Sequence, residues 1–318
     1  MSNKGNKPAA IFLMGPTAAG KTGLAMYLAD HIPVGLISVD SGQVYRGMDI
    51  GTAKLSFEEM KDYPHALIDI RDVSEPYSAD DFRSDALFMM DKYQNQGRIP
   101  LLVGGTMFYF RTLQYGLPDL PSANEKVREK LLAEAEINGW QSLHDRLAKI
   151  DPASAKRINP NDKQRIQRAL EIFQLSGINP TKHAQTARRE IPWNIIKIGI
   201  WPSDRHVLHK RIEQRLALMF DQGFIDEVKK LKNRGLDDSL PAMRAVGYRQ
   251  VLEYLDGKCS YDEMRMRCIY STRQLAKRQL TWLRNDSQIK WFDSMNEDFP
   301  EKVLEFVQKK TSVHDSAC

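Results

Sequence analysis

The sequence predicts an α/β fold: a parallel sheet with helices on both faces, one helical insertion, and a mostly helical C-terminal region. Three observations carry that expectation. Short apolar runs of strand length alternate with helical patterns through the first hundred residues, as in a sheet covered on both faces. The first run leads into a glycine-rich turn and a helix start. Strand signals then vanish between residues 118 and 192 and return near residue 195.

The elements follow in order. Ala10–Met14 is an apolar run, read as a buried strand. It enters Gly15-Pro16-Thr17-Ala18-Ala19-Gly20-Lys21-Thr22, and Leu24, Ala25 and Leu28 then keep helical spacing. Strand, G-x-x-x-x-G-K-[ST] turn and helix together form a phosphate-binding loop in its proper context. Its backbone N–H groups and the helix N-terminus suit a di- or triphosphate. Lys21 adds a point charge, and the Thr22 hydroxyl suits Mg²⁺. These features predict a P-loop NTPase-like sheet. Further strands are expected at Val34–Val39, Ala66–Ile70, Pro100–Val103 and Ile195–Ile200.

Residues 118–192 read as a helical insertion between an α/β core of 1–117 and 193–318. Ser122-x-x-Glu125 looks like a capping box opening a helix through Ala135. A second helix is expected over Gln141–Ile150, and a third from Asn161 or Asp162 to Gly177. In the third, Ile166, Ala169, Leu170 and Phe173 form a core-facing stripe. After Trp201-Pro202-Ser203-Asp204 the chain is expected to be helical to about residue 284, and Lys309–Cys318 to be a disordered polar tail.

Bulk properties narrow the function classes. The 318 residues carry a net charge of +5 and a 42% hydrophobic fraction, ordinary for a soluble globular protein. A pI near 8.9 permits an anionic partner. No apolar run reaches the roughly 20 residues that span a bilayer. Met1–Pro8 is polar, without the apolar core of a signal peptide. Cys259, Cys268 and Cys318 are scattered and form no C-x-x-C pair, which suits a reducing cytoplasm.

In parallel α/β sheets ligands sit beyond the strand C-termini, so the residues there carry the chemistry. Asp40 and Ser41 end the second strand, followed by Gln43, Tyr45 and Arg46. A carboxylate here serves either a Mg²⁺ ion or, as general base, an acceptor; a turn-capping Asp is the structural alternative. Gly104-Gly105-Thr106 ends a later strand where an NTPase often carries an Asp. Gln164, Arg165 and Arg168 share a helix face, and such residues read base edges and phosphates; a solvated face would look the same. Residues 242–249, AMRAVGYR, and 270–284, YSTRQLAKRQLTWLR, set basic groups among aromatics, which suits a nucleic-acid backbone. In the second, Ile269, Thr272, Ala276, Leu280 and Leu283 are expected to face inward, with Arg273, Lys277, Arg278 and Arg284 outward, countered locally by Asp286.

GPTAAGKT, VDSGQVYR, MDIGTAK, LLVGGTMFYF, QRIQRALEI, RAVGYRQ and KRQLTWLR resemble, in this order from Gly15 to Arg284, the bacterial tRNA dimethylallyltransferases. The resemblance implies transfer of a dimethylallyl group from dimethylallyl diphosphate to N6 of adenosine-37 in tRNA, with Mg²⁺. A cytoplasmic location is expected from the composition, and a monomer because nothing in the sequence demands an oligomer. The phosphate loop would then hold the prenyl donor's diphosphate, with a nucleotide such as ATP as the alternative occupant. By the same resemblance Asp40, Thr106 and Arg128 are catalytic-site residues. Arg215 is a diphosphate ligand by its charge and position. The tRNA-contacting segments are Asp40, Ser41, Gly42 and Gln43; Gln164, Arg165, Ile166, Gln167 and Arg168; Arg244, Ala245, Val246, Gly247, Tyr248 and Arg249; and Lys277, Arg278, Gln279, Leu280, Thr281, Trp282, Leu283 and Arg284. The chain departs from the family at Ala19, where Ser is usual, and shows no C-terminal Cys/His zinc module.

Two rivals share parts of this pattern. A small-molecule or nucleoside monophosphate kinase would use the loop and a helical lid, but not the basic C-terminal helices. An RNA-binding switch would use the basic face, but not Asp40 and Thr106.

Overall fold

A computed structural model describes residues 7–183 and 190–312. Six parallel strands lie in the order β3-β2-β4-β1-β5-β6: β1 (Ala9–Met14), β2 (Val34–Val39), β3 (His65–Ala66), β4 (Ile99–Gly104), β5 (Asn194–Trp201) and β6 (Lys290–Asp293). Four of them are buried on both faces, which is why they read as continuous apolar runs. Helices α1 (Lys21–His31), α2 (Phe57–Asp62), α3 (Ala79–Asn95) and α4 (Met107–Tyr115) follow the strands of the first half. Leu24, Ala25 and Leu28 of α1 pack with Ile11, Leu36 and Leu101 on one sheet face, joined by Val303 and Val307. On the other face Phe12 meets Phe110 of α4, ring centroids 5.0 Å apart.

The described residues group into two compact units, one drawn from Met1–Gln114 and Pro192–Cys318, the other from Tyr115–Ile191. The second is wholly helical: α5 (Glu125–Ile150), α6 (Pro152–Arg157), α7 (Lys163–Ser176) and α8 (Pro180–His183). The rest of the first unit is α9 (Arg205–Asp221), α10 (Phe224–Asn233), α11 (Tyr248–Leu255), α12 (Tyr261–Arg284) and α13 (Phe299–Ser312). Helices α9 to α12 enclose a separate core with Val44, Met48 and Val73 from the loops beyond β2 and β3.

Several expectations are corrected. The strand expected over Ala66–Ile70 spans only His65–Ala66, because Leu67 and Asp69 take positive φ of 67° and 57°. The chain there rejoins the segment after β2 instead: Asp69 N donates to Gln43 O, and Arg71 N to Val44 O. Helix α5 is capped by Asn124, whose side chain accepts from Val127 N, and not by Ser122. It continues to Ile150 with one break, at Gly139 (φ 76°, ψ 156°). Helix α7 keeps its expected ends, with Asp162 capping Arg165 N and Gly177 at φ 69°. In its stripe Phe173 is only half-buried, and Glu171 and Ile172 lie inside. Strand β6 is an addition to the sequence reading. Lys309 to Ser312 continue α13 and are not a tail, while 313–318 lie outside the described residues. Met1–Asn6 of the polar N-terminal stretch also lie outside them.

Candidate active site

The loops after β1, β2 and β4 meet at the C-terminal edge of the sheet, where neighbouring strands β4 and β1 send the chain in opposite directions. After β1, Gly15 and Pro16 are buried, and Ala18 and Gly20 take φ of 62° and 95°. Gly15 has no room for a side chain: an added Cβ would lie 2.5 Å from Ile200 O. Gly20 opens α1 with no side-chain cap, so the helix's first N–H groups face the loop as an anion cradle. Lys21 Nζ donates to Gly15 O (2.9 Å) and Pro16 O (2.8 Å), which holds the ammonium group over the loop. Thr22 is exposed on the first turn of α1.

After β2, Asp40 Oδ1 accepts from Gly42 N (2.8 Å) and Gln43 N (3.4 Å). The turn therefore uses one carboxylate oxygen, Oδ1, and no hydrogen bond among the described residues reaches Oδ2. After β4, Thr106 N donates to Val39 O (3.2 Å), and Thr106 Oγ1 accepts from Ser41 N (3.1 Å). Two backbone-anchored bonds thus lock Thr106 to the Asp40 turn. The hydroxyl hydrogen stays available to donate. Gly104 permits this approach, since an added Cβ would lie 2.1 Å from Val39 O.

Arg215, on α9, donates to Thr52 O (3.4 Å), and the Gln43 amide reaches the same oxygen (3.4 Å). The Lys21 amine is lowered to about 7, mainly by burial and further by the Arg215 charge, with the Asp40 carboxylate opposing. Burial also lowers Arg215, again opposed by Asp40. These three charges therefore share one electrostatic site.

Other expected residues have different surroundings. Arg128 forks onto Glu171 (Nε to Oε1 2.9 Å, Nη2 to Oε2 3.2 Å), and Arg168 adds a third contact to that carboxylate (2.7 Å). Glu171 is fully buried; burial pushes its carboxyl up, but Arg128, the Asn124 N–H and Arg168 outweigh it, leaving it below the ordinary range. Gln167 donates to Arg128 O (3.1 Å), whereas Gln164 and Arg165 are exposed. Ile166, Tyr248 and Leu283 were expected among tRNA contacts, yet their side chains are buried at 0%, 0% and 2% exposure. Each faces the core because it lies on its helix's apolar stripe. Gly247 is buried, with Ala245 and Val246 half-buried. Arg244 is exposed and donates to Asp238 O and Ser239 O, and Arg249 is exposed above Glu253.

On α12, Lys277, Arg278, Thr281, Trp282 and Arg284 are exposed. Arg111 lies 5.7 Å from the Trp282 ring centroid, and Arg284 5.2 Å from that of Trp201. Arg273 pairs with Glu213. Asp286 does not neutralise this face, because it binds Lys197 (2.6 Å). The expected inward stripe is shifted: Met264, Cys268, Ala276, Gln279 and Leu283 are buried, whereas Ile269, Thr272 and Leu280 are half-buried.

Glu227 was not anticipated. Its carboxylate accepts from the backbone N–H groups of Asp49 (2.9 Å), Ile50 (2.7 Å) and Gly51 (3.1 Å) and from the Tyr248 hydroxyl (2.6 Å). It thereby fixes the loop that ends at Thr52. No local pattern could show this, since its loop partners lie 176 to 178 residues away in sequence.

Fold and site together define an α/β protein with a P-loop-like turn, in which strand-end loops bring Asp40 and Thr106 beside that turn, with Lys21 of α1 and Arg215 of α9 in the same electrostatic site. The chain belongs to the IPP transferase family, whose family model matches residues 43–286. It is a prenyltransferase of that family. The chain is similar to the full-length tRNA isopentenylpyrophosphate transferase of Bacillus halodurans, with 40% identity over 98% of this chain and 99% of that one and a TM-score of 0.72. It is similar to the tRNA delta(2)-isopentenylpyrophosphate transferase of Staphylococcus epidermidis, with 32% identity, coverage of 96% and 99%, and a TM-score of 0.69. A eukaryotic dimethylallyltransferase acting on tRNA shares the fold at 24% identity, with coverage of 97% and 80% and a TM-score of 0.79.

Proposed function

We propose that this enzyme transfers a dimethylallyl group from dimethylallyl diphosphate to N6 of adenosine-37 in tRNA, releasing diphosphate. The observation that carries the reading is the lock between Thr106 and the Asp40 turn beside the phosphate loop. That arrangement supports a base and a hydroxyl acting together on a donor held by its diphosphate at the neighbouring loop. The bacterial relatives' names supply the acceptor class.

The allylic C–O bond breaks, and diphosphate leaves with the electron pair. Loop N–H groups, Lys21 and Arg215 hold the charge growing on the departing oxygens. The N6 lone pair forms the new C–N bond, and Asp40 Oδ2 accepts the N6 proton. Thr106 donates to the reacting centre and keeps Asp40 oriented. Arg128, held on Glu171, is a further catalytic residue implied by the family resemblance alone.

A Mg²⁺ ion suits the donor chemistry. Among the described residues no group of three or more His, Cys, Asp or Glu side chains could cage a metal. The Thr22 hydroxyl is exposed at the cradle, and Mg²⁺ commonly takes few protein ligands while keeping waters and phosphate oxygens. When bound it would supply neutralisation of diphosphate charge. The exposed parts of α12, with Arg244, Arg249, Gln164 and Arg165, would engage the anticodon stem-loop; adenine-37 must leave its stack to reach an internal base. No helix among the described residues is long and apolar enough to cross a membrane. On this proposal the enzyme acts in the cytoplasm as a monomer.

The test is transfer of radiolabel from dimethylallyl diphosphate to unmodified tRNA bearing A36-A37-A38, with Mg²⁺ and without ATP. Label on A37 is expected. No label, with ATP consumed on a small phosphate acceptor, would overturn the proposal in favour of a kinase.

A further inference from the structure

Helix α12 buries one polar side chain among its apolar ones: Gln279, at 8% exposure. Its neighbours in sequence, Lys277, Arg278, Thr281 and Trp282, are exposed. The amide is fully engaged in both senses. Oε1 accepts from Thr17 N at 2.9 Å, and Nε2 donates to Gly105 O at 2.8 Å. Thr17 belongs to the phosphate loop, and Gly105 precedes Thr106. One side chain from a helix some 170 to 260 residues further along therefore ties the loop after β1 to the loop after β4.

The glycine at 105 is required by this arrangement. A Cβ there would sit 2.4 Å from Gln279 Nε2. Backbone chemistry makes the Thr17 bond consequential. The Thr17 N–H belongs to the Pro16–Thr17 peptide, so its bond to Gln279 fixes that peptide at the start of the phosphate loop, just ahead of Ala18, whose φ is 62°. A carboxylate in place of the amide could accept from Thr17 N but could not donate to Gly105 O. An apolar side chain could do neither.

We propose that Gln279 is a positioning residue for the diphosphate cradle: it sets the Thr17 peptide and the Gly105–Thr106 turn at a fixed separation and links both to the helix carrying the exposed cationic face. The inference rests on the prenyl-transfer reading of the same site. It gives Gln279 a role through the loop backbone in place of direct tRNA contact, which its burial disfavours.

The test is Gln279→Met, which keeps side-chain length and removes both polar atoms. Pyrophosphate affinity by calorimetry, tRNA affinity by filter binding and single-turnover transfer are compared with wild type. Pyrophosphate affinity is expected to fall about tenfold, the scale of one well-placed hydrogen bond to the loop. The tRNA affinity stays within about twofold, the precision at which two such constants are distinguished. Gln279→Glu, which keeps size and folding geometry, is expected to weaken pyrophosphate further, because it sets a negative charge at the cradle. Gly105→Ala, made alone and with Gln279→Met, closes a double-mutant cycle. Non-additive losses in pyrophosphate affinity are expected, since both changes break one contact.

Lower tRNA affinity with unchanged pyrophosphate affinity would overturn the proposal and restore Gln279 as a tRNA contact. Unchanged pyrophosphate affinity in both Gln279 variants, or strict additivity, would also overturn it. Failure of the parent reading looks different: the wild-type enzyme itself would transfer no label to tRNA.

Discussion

Lys21 should change protonation when diphosphate binds. Its amine lies at about 7 in the folded protein, mainly through burial, with Arg215 adding to the effect and Asp40 opposing it. At that value about one Lys21 in ten is charged at pH 8, and about nine in ten at pH 6. A diphosphate in the cradle favours the ammonium form, because an opposite charge at contact stabilises it. Binding should then take up about 0.9 proton at pH 8 and about 0.1 at pH 6. A lysine at its ordinary value would take up almost none at either pH. The assay is calorimetry of pyrophosphate binding in pairs of buffers with different ionisation enthalpies. Lys21→Arg, charged at both pH values, gives the reference that subtracts pyrophosphate's own proton exchange. Stability supplies a second readout. Between about 7 and the unfolded value near 10.4, the unfolded chain binds more protons at Lys21, so this residue's contribution to stability rises with pH across that window. Below it the buried charge destabilises the fold in full. Lys21→Met should remove that slope in urea unfolding. Equal proton uptake in wild type and Lys21→Arg, with parallel stability profiles for Lys21→Met, would refute the reasoning.

Three further outcomes are expected. Asp40→Asn keeps the acceptor for Gly42 N–H but loses the base, so single-turnover transfer should slow by about 10²–10⁴-fold with tRNA affinity retained; an unchanged rate would remove Asp40 from the proton transfer. Lys277→Ala with Arg278→Ala removes two exposed cations from α12, and the slope of log K against log salt should shrink by about 1.4 to 1.8; a wild-type slope would place the phosphate track elsewhere. Glu171→Ala strips the partner from Arg128, Arg168 and the Asn124 N–H, which should cost about 3–5 kcal/mol in chemical denaturation. In the wild-type protein this carboxylate's contribution is full above its unfolded value near 4.3 and is lost as pH falls through its lowered folded value; equal pH profiles for both proteins would deny Glu171 that role.

The sequence by itself determined what depends on near neighbours. Four of the sheet's strands were legible because burial on both faces demands unbroken apolar runs, and the phosphate loop because its turn needs glycine beside a helix start. Asp162 and Gly177 marked α7, since capping acts within three or four residues. Ordered motifs along the chain carried the family. Tertiary structure alone decided the rest. The strand after His65 ends because Leu67 and Asp69 turn to positive φ, toward the segment following β2. Ile166, Tyr248 and Leu283 sit in matching motifs yet point inward, because a motif mixes the two faces of a helix. Glu227 grips a loop more than 170 residues away, and Gln279 spans two loops from an otherwise basic stretch. Such bonds join groups that only the folded sheet brings within 3 Å, and no periodicity or local spacing along the chain encodes that meeting.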